Sequence, residues 1–164
     1  MVKKRKYGFL YNKKLEMFKG LKIALIIALA LILVFSFVIG ISLVSGNSMY
    51  PTLHDGQPVL YVRFIKNYSR GDIASVRMPS DEYLVKRIVA IEGDTVDIRD
   101  GVVYINGSPL DGYGYTYAGV GNKYPVTIQN GQIFVLGDNR EISVDSRAFG
   151  PISTSQTRGK IVLY

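Results

Sequence analysis

The longest hydrophobic run of the chain extends from Ile23 to Val44. These 22 residues carry no charge and almost no polar group. As an α-helix the run extends roughly 33 Å, which is enough to cross a hydrocarbon core of about 30 Å. A cleaved signal peptide is the alternative, but its apolar region normally has about 7–15 residues. The length therefore favours an uncleaved transmembrane signal-anchor helix at residues 23–44.

After Val44, the hydrophobic residues come in short runs with the length and alternation of β-strands. Turn sequences such as Asp100-Gly101 separate these runs, and Asp-Gly between two alternating runs is a strong hairpin signal. No run here shows sustained helical periodicity, and Tyr113–Tyr124, rich in Gly and Tyr, predicts a loop or hairpin insertion. Residues 45–164 are therefore predicted to form a mainly β domain. The predicted strands are Pro58–Val62, Ile73–Val76, Tyr83–Ile91, Thr95–Ile98, Val102–Ile105, Ile133–Leu136 and Ile161–Leu163.

The positive charge of the chain is concentrated at its N-terminus. The net charge is +7 at pH 7, from 20 Lys and Arg against 13 Asp and Glu. Eight of these bases and one acid, Glu16, lie in residues 1–22, so the remainder is electrically balanced. A globular nucleic-acid-binding domain spreads its bases over a folded face, and we expect no nucleic-acid partner. A basic segment before an apolar helix predicts a cytoplasmic tail at residues 1–22 and an extracytoplasmic domain at residues 45–164.

Cysteine and histidine are scarce. There are no Cys residues and one His, His54. Disulfides, thiolate zinc sites, iron–sulfur clusters and a cysteine nucleophile are therefore excluded, and so is a metal site built from several histidines. We expect no metal and no other cofactor. A Ser-His-Asp triad would have to use His54, and any other nucleophile needs a different base, such as a lysine with a neutral amine.

Lys86 is the candidate for such a base. The pKa of an unperturbed lysine is about 10.4, and burial among apolar side chains lowers it. Lys86 lies within the hydrophobic segment Tyr83–Ile91, and strand alternation places Leu84 and Ile88 on the same face as the amine. The alternative is a lysine of an edge strand, which protects that edge from aggregation. The segment by itself leaves both interpretations open.

Ser48 and a polar run after a predicted strand are the other candidates. Ser48 follows the apolar run in the segment Ser45–Leu53, where Gly46 permits close backbone approach and Pro51 fixes a turn. Backbone N–H groups of such a turn can stabilise an oxyanion. The polar run Gly137–Arg147 combines Gly, Asp, Ser and Arg. Taken separately, the first segment also fits a linker after a membrane span, and the second a solvated loop.

Together these segments resemble the sequence motifs of bacterial type I signal peptidases, in the same order. That family has a membrane anchor and then a serine motif, here GNSMYPTL (residues 46–53), and a Gly-Asp turn, here RGD (70–72). A lysine motif follows, here YLVKRIVAIEGD (83–94), and then a motif that here is LGDNREISVDSRAFG (136–150). The resemblance covers most of the chain. It implies a short, Gram-positive-like form with a single N-terminal anchor and an antiparallel β-sheet catalytic domain.

The resemblance also implies roles for individual residues. Ser48 matches the nucleophile and Lys86 the general base, and Ser143 matches a hydroxyl that orients the lysine amine. Gly137 matches a small residue that leaves room for the lysine. The ion pairs that the resemblance implies are Asp145 with Arg147 and Asp138 with Arg87. The residues that match positions near the pockets for small side chains at −1 and −3 of a signal sequence are Met49, Leu53, Leu84 and Val85.

The implied activity is the removal of N-terminal signal peptides from secreted precursor proteins, by a Ser-Lys dyad and an acyl-enzyme intermediate. Signal peptides and the lipid bilayer are then the expected partners, and the cell membrane is the expected location. An alternative is a signal-peptidase-like factor for the assembly of surface proteins or pili, with restricted or no proteolytic activity. The presence of both Ser48 and Lys86 argues against an inactive factor but leaves a specialised set of clients open.

Overall fold

The computed structural model describes residues 2–78, 81–110, 112, 116–117 and 123–164, and side chains within this set from residue 15 onward. The chain divides into two units, of which the first ends at Val38 and the second comprises Ile39–Tyr164. Most of the predicted loop or hairpin at Tyr113–Tyr124 lies outside the described residues.

The first unit is a single helix, α1, which extends from Val2 to Val38. Its C-terminal part is rich in Ala and Leu, which favour helices because they lose little side-chain entropy there. Within the described residues, the 24-residue stretch Leu15–Val38 is long and apolar enough to cross a membrane. A helix in this region agrees with the sequence pattern, but it ends six residues before the predicted boundary at Val44.

The residues after α1 form a strand, so the helix predicted for residues 39–44 is wrong. Strand β1, Ile39–Leu43, pairs antiparallel with strand β2, Pro58–Val62. An uncharged apolar run does not by itself distinguish a helix from a buried strand. Gly40 lies opposite Tyr61 in this ladder, and a methyl group at Gly40 would overlap the Tyr61 ring. The pairing therefore depends on a residue without a side chain.

The second unit consists of two antiparallel sheets, which confirms the predicted mainly β class. The strands that follow β2 are β3 Ile73–Arg77, β4 Tyr83–Ile91, β5 Thr95–Arg99, β6 Val102–Ile105, β7 Ser108–Pro109, β8 Val126–Thr127, β9 Gln132–Leu136, β10 Ile152–Ser153 and β11 Thr157–Leu163. One sheet has seven strands in the order β1-β2-β11-β3-β4-β9-β10, and the other has four in the order β7-β6-β5-β8. The predicted strands are all present, within one or a few residues of their expected bounds. A short helix, α2 (Ser146–Phe149), and a 3-10 helix, Thr154–Gln156, complete the described elements.

Strand β4 organises the core of this unit. It pairs with β3 on one side and with β9 on the other, in the middle of the larger sheet. Its C-terminal residues Val89 and Ala90 belong to a buried cluster with the smaller sheet, and Ile88 belongs to a second cluster. Val85 packs against a third cluster, which contains Met49 and other residues from the β1–β2 region. Residue 86 is therefore held in a strand with packed neighbours on both sides.

Candidate active site

The three segments singled out in the sequence meet at one place. Ser48 lies in the loop between β1 and β2, Lys86 in β4, and Gly137 at the start of the loop that follows β9. The serine loop is closed by a hydrogen bond from the Val44 amide to the Gln57 carbonyl, 2.9 Å long. Its Ser48 carbonyl accepts a hydrogen bond of 3.0 Å from the amide of Asn139. This last contact fixes the serine loop directly against the loop after β9.

The amine of Lys86 is in hydrogen-bond contact with the hydroxyl of Ser48. The Nζ–Oγ distance is 2.6 Å, which suits direct proton transfer between the two atoms. Lys86 is 2% exposed and is among the largest fully buried side chains of the described residues. The interpretation of Lys86 as a solvated edge-strand lysine is therefore wrong.

Burial lowers the pKa of Lys86 from its ordinary value of 10.5 to about 8. Loss of solvent around the ammonium is the largest cause, because the charged form loses more hydration than the neutral form. The Asp145 and Asp138 carboxylates raise the pKa and the Arg147 guanidinium lowers it. Since both carboxylates are paired with arginines, their attraction for the Lys86 ammonium is partly offset. The amine is neutral in a substantial fraction of molecules near pH 8.

Arg87 points away from Lys86 and binds Asp138, as strand alternation requires. Arg87 Nε donates to Asp138 Oδ1 at 2.8 Å and Nη2 donates to Oδ2 at 2.6 Å. The Thr52 hydroxyl donates to the same Oδ2 at 2.6 Å and accepts from Arg87 Nη2 at 3.3 Å. Arg87 follows the lysine in sequence, Asp138 follows Gly137, and Thr52 lies four residues after Ser48. This cluster therefore links all three segments of the site.

Asp145 and Arg147 form a second buried ion pair. Asp145 accepts from Arg147 Nε at 2.8 Å and Nη2 at 2.9 Å, and its side chain is fully buried. Asp145 also accepts from the amide of Gly137 at 3.0 Å and caps the N-terminus of α2. Arg147 donates to the carbonyl of Ser143 at 3.0 Å. The pair thereby holds the backbone of the loop at both Gly137 and Ser143.

Gly137 lies between the serine loop and Ser143. A methyl group at Gly137 would lie 2.5 Å from the carbonyl oxygen of Ser48 and would also overlap the Ser143 hydroxyl. The sequence predicted that this glycine leaves room for the lysine. In the structure it leaves room for the Ser48 backbone and for the side chain of Ser143.

The hydrogen bond expected between the Ser143 hydroxyl and the lysine amine is absent. Ser143 Oγ is buried and has no hydrogen-bond partner among the described residues. The Ser143 backbone is held by Arg147 and by a bond from its amide to the Asn139 carbonyl, 3.2 Å long. This anchoring directs the side chain toward Gly137, while the hydrogen bond of Lys86 goes to Ser48.

A groove of about 370 Å³ leads to Ser48. Two of the four predicted pocket residues, Leu84 and Val85, line it. The rest of the lining comes from the end of β1 and the β1–β2 loop, from Ser75 of β3, and from Glu82 and Tyr83 at the start of β4. The other two, Met49 and Leu53, are fully buried in the core cluster against which Val85 packs. They lie four residues apart in a helix-like turn closed by a 2.9 Å hydrogen bond, so both side chains point to the same side. They support the wall of the groove from behind.

Several residues of the site were missed in the sequence. Thr52 joins the Arg87–Asp138 pair, Asn139 holds the Ser48 carbonyl, and Asp55 accepts from the amide of Gly46 at 2.7 Å.

Arg140 is a further residue of the site. It is buried, and it donates to the Gly137 carbonyl at 2.9 Å and to the Thr116 hydroxyl at 3.1 Å. These residues stand inside or beside the motifs, but their partners are distant in sequence, so no local pattern identified their contacts.

Comparison with known proteins decides the family. The family described as signal peptidase, peptidase S26, matches residues 16–164. The chain belongs to this family. The resemblance inferred from the sequence motifs is thereby confirmed, and the chain is assigned to the serine peptidases, which are hydrolases.

Relatives of signal peptidase I type align over most of the chain. Signal peptidase I of Bacillus licheniformis is 36% identical over 152 residues, covering 83% of this chain and 81% of its own length. Signal peptidase I S of Bacillus subtilis (strain 168) is 35% identical over 170 residues, covering 92% and 89%. The crystal structure of a signal peptidase I from Enterococcus faecalis V583 has 32% identity and a TM-score of 0.51, and covers 60% of this chain and 98% of its own.

Proposed function

We propose that the chain is a membrane-anchored endopeptidase that removes N-terminal signal peptides from secreted precursor proteins with a Ser48–Lys86 dyad. The observation that carries this proposal is the 2.6 Å contact between the Ser48 hydroxyl and a buried lysine amine of lowered pKa. Family membership supports the class of reaction, and the groove at Ser48, which is lined mostly by serines and apolar side chains together with Glu82, supports an extended peptide substrate.

The mechanism is acyl transfer. Neutral Lys86 accepts the Ser48 proton while Ser48 Oγ attacks the carbonyl carbon of the scissile peptide bond. The Lys86 ammonium then donates this proton to the leaving amine, and the peptide C–N bond breaks. The signal peptide stays on Ser48 as an ester. The amine, neutral again, accepts a proton from water while the water oxygen attacks the ester carbonyl carbon. The ester C–O bond breaks, the Lys86 ammonium returns the proton to Ser48 Oγ, and the signal peptide is released with a free carboxyl group.

The buried ion pairs position these groups. The cluster of Thr52, Arg87 and Asp138 connects the serine loop to the strand that carries Lys86. The pair of Asp145 and Arg147 fixes the loop beside Ser48. Pre-fixed geometry lowers the barrier because the reacting atoms need little further ordering.

The N-terminal helix supports a membrane location. Its stretch Leu15–Val38 has the length and composition of a membrane span, and Ser48 lies ten residues after Val38. The basic residues that precede the span favour a cytoplasmic N-terminus. The peptidase domain is then extracytoplasmic, on the side where a signal peptide emerges from the bilayer.

The alternative function is a factor that binds surface proteins or pilus subunits without cutting them. The contact between Ser48 and Lys86 disfavours it, because a protein that merely binds has no need for a desolvated amine against a serine hydroxyl. Both functions predict that the chain binds a precursor, but only the peptidase breaks a peptide bond of that precursor.

Cleavage of a precursor tests the proposal. We expect the full-length protein in detergent to cut a secretory precursor at one bond, after a residue that completes a small-x-small sequence. Mass spectrometry of the product identifies the bond. The control is the same precursor with a large residue at −1, which we expect to be cut at least about 100-fold more slowly. Binding of several precursors without cleavage would instead favour the non-cleaving factor.

The rate of cleavage is expected to rise with pH. Because the pKa of Lys86 is about 8, about a tenth of the free enzyme holds a neutral amine at pH 7 and half at pH 8. We therefore expect kcat/KM to rise almost tenfold from pH 6 to pH 7, to reach half its maximum near pH 8, and to level off above pH 9. Initial rates with a peptide that has no group titrating in this range provide the measurement. A profile that is flat or falls between pH 6 and pH 8 would contradict a lysine base.

A further inference from the structure

Ser75 is a polar residue in an otherwise apolar part of the sheet. It lies in β3 next to Ala74 and Val76, which are both buried, and pairs with Val85 of β4. Cross-strand partners point to the same face of a sheet, and Ser75 and Val85 line the same groove as Ser48. Ser75 itself is 3% exposed. A hydroxyl thus forms part of the floor of the groove.

No hydrogen bond of the Ser75 hydroxyl is found among the described residues, whereas the hydroxyls of Ser48 and Thr52 are hydrogen-bonded. Ser75 Oγ is not among the fully buried atoms that have no partner, so solvent reaches it from the groove. A hydroxyl both donates and accepts, and a substrate side chain that covers it displaces this solvent. Covering the hydroxyl without offering a partner is costly, so a substrate group that can form a hydrogen bond with it is favoured.

We propose that Ser75 is a specificity-determining residue that favours precursors with serine, rather than alanine, at one of the two small-residue positions before the cleaved bond. This inference rests on the proposed function. Leu84 and Val85 form the apolar wall of the groove and favour small side chains. A serine hydroxyl in the groove would pair with that of Ser75, whereas an alanine methyl would leave it unpaired.

The test uses three peptide substrates that differ at single positions. The first has alanine at −1 and −3, the second has serine at −1, and the third has serine at −3. A hydrogen bond between neutral groups typically changes an equilibrium by about two- to tenfold. We therefore expect the full-length wild-type protein to cleave one serine peptide with a kcat/KM about fivefold above that of the alanine peptide. In Ser75→Ala this ratio should fall to about one.

The ratio of two substrates on one protein cancels any difference in the folded fraction. Ser69→Ala is the matched control, because Ser69 is an exposed serine outside the groove, and its ratio should equal that of the wild type. Equal cleavage of all three peptides by the wild type, or an unchanged ratio in Ser75→Ala, would overturn the role of Ser75 alone. If the wild type cleaves none of the peptides, the proposed function fails, and the inference fails with it.

Discussion

Lys86→Met is expected to lower kcat/KM at least about a hundredfold while it stabilises the fold. The loss of activity follows because methionine cannot accept the Ser48 proton, and general-base catalysis contributes about 10²–10⁴-fold. Ser48→Ala should lose at least as much, since it removes the attacking oxygen. The kcat/KM of the variant that carries both substitutions should be no lower than that of the less active single variant, because the two residues act as one unit.

The gain in stability follows from the lowered pKa. Below pH 8 the lysine is protonated in both the folded and the unfolded chain, and the folded chain bears the full cost of burying the ammonium. A shift from 10.5 to about 8 corresponds to about 3 kcal/mol. Between pH 8 and pH 10.5 the unfolded chain alone retains the proton, so the stability of the wild type rises with pH. Lys86→Met should therefore gain most at neutral pH and little above pH 10.5.

Thermal unfolding of the full-length protein in detergent, followed by circular dichroism, measures this gain. At pH 7 we expect a Tm about 6–12 °C above that of the wild type. Lys66→Met is the matched control. Lys66 is an exposed lysine whose pKa is also lowered by desolvation, but it donates to the Thr157 carbonyl and hydroxyl, so its replacement should lower Tm and leave cleavage unchanged. A Lys86→Met protein that still cleaves, or that melts below the wild type, would contradict the dyad or the desolvated amine, respectively.

The sequence was most informative where the pattern is local. The alternation in Tyr83–Ile91 was sufficient to predict a strand, to place Leu84 and Ile88 on the face of Lys86, and to direct Arg87 to the opposite face, but it left open whether Lys86 is buried. Short apolar runs separated by turn sequences predicted seven strands, with members in both sheets, but not β1 or the two-residue strands β7, β8 and β10. Each of these properties depends on residues within one strand or one turn.

The features that the sequence did not provide depend on partners far along the chain. Residues 39–43 are as apolar as the helix before them, and they form a strand because β2 is available to pair with them. Met49 and Leu53 stand in the serine motif, yet a helix-like turn directs both into the core. The orientation of Ser143 depends on the contacts of its backbone with Arg147 and Asn139. None of these contacts has a periodicity that a single sequence reveals.

Gly137→Ala is expected to lower kcat about 100-fold or more in a protein that still folds. The added methyl group would lie 2.5 Å from the Ser48 carbonyl oxygen. Asp145 and Arg140 hold the backbone of Gly137, and Asn139 holds the Ser48 carbonyl. Neither backbone segment can therefore move freely. The simplest relief is a shift of the serine loop away from Lys86. A displacement of about 1 Å in a catalytic group can cost about 100-fold in rate.

The measurement is kcat and KM for one precursor peptide, with Tm as a check of the fold. KM should change less than kcat, because Gly137 does not line the groove at Ser48, and overpacking should cost about 1–3 kcal/mol of stability. Gly20→Ala is the control for the substitution itself, since no atom lies within 4 Å of the added methyl group. Gly137→Ala combined with Ser143→Ala separates the two contacts. If the double variant stays inactive, the contact with the Ser48 backbone causes the loss of activity. If the double variant regains activity, the contact with the Ser143 hydroxyl causes the loss of activity in Gly137→Ala. The serine loop is then less tightly fixed than its hydrogen bonds indicate.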